Sequence, residues 1–93
     1  MSQMTVEDAN TWHLSGELTF ATVSALFAEL HQRAQQTWPQ TIDLRDVTHT
    51  DSAGLALLIE LRRQTQNSPL VFRNLPTQMM TLANVHSVQA LLI

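Results

Sequence analysis

The chain contains no cysteine and no lysine, and its five arginines are scattered among eight acidic residues for a formal charge of −3. Without cysteine there can be no disulfide, thiolate nucleophile or thiolate metal site. Without lysine there is neither a Walker A phosphate loop nor a Schiff-base amine. The basic cluster on which phosphate-backbone recognition depends is missing too, which argues against a nucleic-acid partner. Long hydrophobic runs are also absent. No segment reaches the roughly 18 to 20 apolar residues of a membrane span, and the opening "MSQMTVEDANTWHLSGEL" has neither a basic leader nor a long apolar stretch. The expected location is therefore the cytoplasm, with no direct membrane insertion. Glycine and proline are scarce: Gly16, Pro39, Gly54, Pro69 and Pro76 are the only punctuation, and there is no repeat, low-complexity tract or linker.

What remains is 93 residues with 44% apolar content, enough for one compact domain over 1–93 and too little for a second. "QMTVED" and "TWHLSGEL" flank Ala9 and Asn10, and the second segment alternates Trp12, Leu14 and Gly16 against Thr11, His13 and Ser15, which predicts a β-hairpin. From Thr22 the period becomes helical, with Val23, Leu26, Phe27, Leu30 and Ala34 on one face, predicting a helix over about 21 to 37. "TIDL", followed by β-branched Val47, predicts a third strand; Ser52 to Gln66 a second helix; Leu70 to Phe72 a fourth strand; and Pro76 to Asn84 a third helix with proline at its start. For the final "VQALLI" a small strand and a helical turn are both open. The expected fold class is α/β: a small mixed sheet of four or five strands with about three helices on one face, joined by right-handed crossovers.

Chemistry concentrates in "THTDSAGLALLIEL", where a strand passes through a short corner into the second helix. Such corners are where ligands and partners meet open α/β sheets. Asp51 or Ser52 can cap the first free N–H groups, and Gly54 permits close packing. At about 100° per residue, Leu55, Leu58, Ile59 and Leu61 form an inward stripe, whereas Leu57 points nearly opposite Ile59, grouped with Ala53, Ala56, Glu60 and Gln64. A solvated helix face normally carries more charge, so an exposed Leu57 flanked by alanines is expected to receive another protein.

"SGEL" closing a strand, then a helix, then "IDLRDVTHTDSAGLALLIEL" is similar to the STAS domain family, in order over the whole chain, with "D-S-A-G-L" after an "IDL" strand as the most specific feature. "GLALLIEL", the length of about ninety residues and the ending soon after the third helix look most like the STAS subunits of Mla-type phospholipid ABC transporters. The resemblance implies a non-enzymatic module without cofactor or small-molecule substrate. It would bind the transporter's ATPase subunit, within a complex that includes a permease, through Thr50, Asp51, Ser52, Ala53, Ala56, Leu57 and Glu60. It would lie in the cytoplasm, peripheral to the inner membrane, and serve outer-membrane lipid asymmetry. The family also contains anti-sigma factor antagonists with a phosphorylatable serine after the aspartate, a place held here by Ser52, so a phosphorylation-controlled switch is the alternative.

Other candidates carry less. His13, His31, His49 and Asp51 lack ligand spacing, so no metal site is expected and the histidines are expected to face solvent. His49, Asp51 and Ser52 are the residue types of a hydrolytic triad, yet adjacent residues cannot arrange an oriented base and an oxyanion hole, so no catalytic residue is assigned. Met79, Met80 and Leu82 are expected in the core, Trp12 and Trp38 in packing roles, and Arg62 and Arg63 diverge too far to form one clamp.

Overall fold

The computed structural model describes residues 2–35 and 37–92. Ser2–Asp8 (β1) and Thr11–Leu18 (β2) form the expected hairpin, Val23–Arg33 (α1) follows, and Thr41–Thr50 (β3) leads into Ser52–Gln64 (α2). Val71–Arg73 (β4), Thr77–Val85 (α3) and a 3-10 turn at Gln89–Leu91 complete the chain. The strands lie in sequence order, β1 antiparallel to β2, and β2, β3 and β4 mutually parallel. Among the described residues the fold is thus the expected α/β arrangement, with a mixed sheet of four strands and three helices.

Alternation explains which side of the sheet is covered. Met4, Trp12, Leu14, Ile42, Leu44 and Phe72 join Leu26 and Leu30 of α1, Leu55, Leu58 and Leu61 of α2, and Met79 and Ala83 of α3 in one buried cluster. Thr5, His13, Asp43 and Arg73, in register across the four strands, lie on the opposite, open face. Trp38 packs on Trp12 with ring centroids 6.1 Å apart, closing the core beyond the end of α1.

The third strand runs well past "TIDL". β3 has ten residues against eight in β2, and the surplus is absorbed where the register shifts between His13 and Ser15 and again between Gly16 and Glu17. Each shift inverts the alternation, and two restore it. Asp46 therefore lies beside Ser15 on the open face, while Thr50, opposite Leu18, points back into the core. Simple alternation stops at the first shift, which is why the strand looked shorter in the sequence.

The first two helices are shorter than their periodicity. α1 starts at Val23 because the Thr22 hydroxyl is used in the preceding turn, donating to Glu17 O at 2.7 Å and accepting from Thr19 N at 2.9 Å. It ends at Arg33, and Gln36, within the expected helix, lies outside the described residues. α2 stops at Gln64 because Thr65 Oγ1 donates to Leu61 O at 3.0 Å and accepts from Leu70 N at 3.3 Å, turning the chain toward β4. No helix among the described residues is long and apolar enough to cross a membrane.

Candidate functional site

Leu18, the last residue of β2, and Thr50, the last of β3, bring the β2–α1 turn against the start of α2. Thr50 Oγ1 donates to Leu18 O at 3.0 Å, and Asp51 N donates to the same carbonyl at 3.3 Å. Gly54 makes this approach feasible: a Cβ there would overlap the Thr50 hydroxyl and stand 2.6 Å from Leu18 O. Asp51, extended at the N-cap of α2, accepts from Ala53 N at 2.8 Å through Oδ1 and from Phe20 N at 3.1 Å through Oδ2. The Phe20 amide is the main cause that holds the Asp51 carboxyl below the usual aspartate range, aided by the amides of Ala53 and Gly54 and the charge of His49 against a partial loss of hydration.

These bonds set Phe20, 85% exposed, beside α2. Next to it, α1 and α2 enclose an open groove of about 350 Å³ lined by Phe20, Val23, Phe27, Ala53, Ala56 and Leu57, with Ser24 and Glu60 supplying its polar positions. Ser52, the first residue of α2, and Ala56 are exposed, while Asp51, Ala53 and Glu60 are half-buried. Glu60 is tied along its own helix, 3.4 Å from Arg63 Nε and accepting from Gln64 Nε2 at 3.0 Å.

Two expected contact residues require correction. Leu57 does point away from Ile59, but it is 5% exposed and belongs to the core, because α1 lies along that flank of α2. It forms the floor of the groove instead of a protruding anchor. Thr50 is fully buried, its hydroxyl spent on Leu18 O, so it shapes the corner from inside. The sequence reading missed Phe20 altogether: it precedes the first helix, and only the tertiary bond to Asp51, 31 residues away, brings it to this corner.

The remaining candidates disperse. His13 is not solvent-facing; it lies half-buried on the sheet with Nε2 3.1 Å from Asp46 Oδ2. His31 packs between Phe27 and Trp38, with ring centroids at 4.6 and 5.6 Å, and His49 is exposed. Among the described residues no three His, Asp or Glu side chains come together as metal ligands. Met79 is buried as expected, and the Arg62 guanidinium lies 5.0 Å above the Phe72 ring while Arg63 turns to Glu60.

Comparison with known proteins adds to this geometry. The sequence model of the family described as "Mlab, STAS domain" matches residues 2–93. No curated protein matches the chain. Among solved structures the chain is similar to the anti-sigma factor antagonist SpoIIAA in its unphosphorylated form, with a TM-score of 0.74 and 16% identity over 100% of this chain and 86% of that one. At that identity the likeness bears on the fold.

Proposed function

The chain belongs to the STAS domain family, on the MlaB side of it, and from that premise we propose that it is a non-enzymatic subunit that docks on the ATPase subunit of an Mla-type phospholipid ABC transporter. The observation that carries this reading is the apolar groove between α1 and α2, opening beside exposed Ser52 and Phe20. Small side chains at Ala53 and Ala56 let another backbone approach, and Phe20 is the aromatic type that dominates interface energetics. The subunit acts by binding the assembled, competent arrangement of the ATPase better than its alternatives, which shifts that equilibrium without any chemistry of its own. The complex, with its permease, places the domain in the cytoplasm against the inner membrane, where it supports outer-membrane lipid asymmetry.

Co-purification with the ATPase and permease tests the reading, using Ala56→Arg rather than a substitution at buried Leu57. Ala56 is exposed, so the arginine leaves folding nearly unchanged, whereas at the centre of an interface it costs about 2 kcal/mol or more, roughly a thirtyfold loss of affinity. A complex that survives this change at full affinity overturns the proposal.

A switch is the second reading, favoured by the exposure of Ser52 on the first turn of α2 and by the fold shared with an antagonist solved in its unphosphorylated form. A phosphate there would meet the positive end of the α2 dipole but also the neighbouring Asp51 carboxylate, which already caps Ala53 N, so it would act as an off signal at a docked surface. Intact-mass analysis of the protein from its own cells separates the two readings. A phosphorylated Ser52 with a kinase-like partner supports the switch, and an unmodified chain with an ATPase and permease supports the transporter.

A further inference from the structure

The two oxygens of Asp51 serve different segments. Oδ1 caps α2 through Ala53 N, and Oδ2 reaches across the corner to Phe20 N in the β2–α1 turn. The turn has its own internal brace, since Thr22 bonds Thr19 N and Glu17 O. That brace fixes the shape of the turn, and the bonds from Thr50 Oγ1 and Asp51 N to Leu18 O hold its first end at the corner; Oδ2 reaches two residues further, to Phe20. Capping alone uses one oxygen, and a serine, threonine or asparagine would do it as well. A second acceptor aimed at an exposed amide 31 residues away, in front of an 85% exposed phenylalanine, is left without a purpose by capping.

We propose that Asp51 is a positioning residue for binding: its second oxygen latches the β2–α1 turn to the start of α2, so that Phe20 and the α1–α2 groove present one pre-formed surface to the partner. Its identification of the partner rests on the transporter reading above; the latch itself belongs to the free chain. The depressed pKa of Asp51, with the Phe20 amide as its largest cause, agrees with a carboxylate that accepts from both sides. An anchor held in its bound position forgoes an ordering cost of about 0.5 to 1.5 kcal/mol on association, which corresponds to roughly a two- to twelvefold gain in affinity.

The full chain carrying Asp51→Asn separates latch from cap. Asparagine has the same shape and caps helices equally well, but it offers one acceptor where the carboxylate offers two. In the free variant the Ala53 amide keeps its hydrogen-exchange protection, while the Phe20 amide exchanges about fivefold faster, as loss of one hydrogen bond implies. An unchanged Phe20 amide overturns the latch. Against a purified Mla-type ATPase subunit, Asp51→Asn weakens binding about fivefold, and Phe20→Ala then weakens it less than it does in the parent chain. Equal losses from Phe20→Ala in both backgrounds overturn the role in binding. If the parent chain itself fails to bind the ATPase, the transporter reading falls, and the Phe20 amide still decides the latch.

Discussion

Two aspartates, one near the start of β3 and one just past its end, are both held below the ordinary carboxyl range, yet they sit in regions of opposite character. Asp43, on the open face of the sheet, is 3% exposed. Burial pushes its carboxyl up, but this is outweighed by the hydrogen bonds from Asn74 Nδ2 and Arg45 N, both at 3.0 Å, and by the charges of Arg45 and His13. Asn74 adopts φ 57°, a left-handed conformation that asparagine tolerates, and its amide closes the network from the β4–α3 turn. Asp51 is served mainly by backbone amides, and its neighbours Phe20, Ser52 and Ala56 are exposed. A depressed carboxyl pKa therefore does not mark a functional site by itself. The difference is that the Asp43 network is closed by side chains of this chain, whereas the corner at Asp51 orders groups that face outward.

The largest effect that can break this contrast is at the corner itself. Gly54→Ala pushes a methyl group against the Thr50 hydroxyl and the Leu18 carbonyl, and a backbone carbonyl does not move aside cheaply. Overpacking of this kind costs about 3 kcal/mol, so thermal unfolding shifts down by roughly 10 to 20 °C for a domain of this size. A variant that melts like the parent would show that the corner has room to spare, and the pre-formed surface would lose its structural basis.

This glycine was legible in the sequence, as were the strand-to-helix corner, a cap at Asp51 or Ser52 and the α/β order, because each depends on local pattern or short spacing. The failures have a common cause. The outward angle of Leu57 relative to Ile59 was right, but a helical wheel cannot show that α1 covers that flank. The end of β3 was hidden by two register shifts that cancel, and Thr50 went inside with it. His13 met Asp46 through the first of those shifts. Phe20 lay in a turn without periodicity, and its place at the site comes from one bond spanning 31 residues. Local propensity reads elements, while pairing register and helix neighbours decide which side chains reach the surface.

Acid titration sharpens the comparison at intermediate strength. Both carboxyls titrate in the folded protein below their ordinary value of 3.8, so their contribution is complete above that value and is lost as pH falls through it toward the folded-state values. The melting temperature should fall below about pH 4. Asp43→Asn and Asp51→Asn should each flatten part of this acid limb, and the Asp43 variant should leave partner affinity at pH 7 unchanged. Loss of binding with Asp43→Asn would mean that the open face is also an interface and that the two regions are not functionally distinct.

The smallest expected effect lies at the outer edge of the Asp43 network. Arg45 Nη2 is 3.3 Å from Glu7 Oε1 on β1, and the two side chains are 57% and 42% exposed. Surface pairs of this kind are worth about 0.5 kcal/mol, because solvent screens them and both side chains give up rotamer freedom. Glu7→Gln removes the charge while keeping the length, so melting should shift by no more than about 3 °C, and by less still at high salt. Arg45 keeps its backbone bond to Asp43 in that variant, since the amide and not the guanidinium makes the shorter contact: 3.0 Å from N to Oδ1 against 3.9 Å from Nε to Oδ2. A shift several times larger would mean that Glu7 orients Arg45 for Asp43 and that the network acts as a unit across three strands. Closure of the open face would then depend on a surface residue, and the contrast with the corner would narrow to which groups remain exposed.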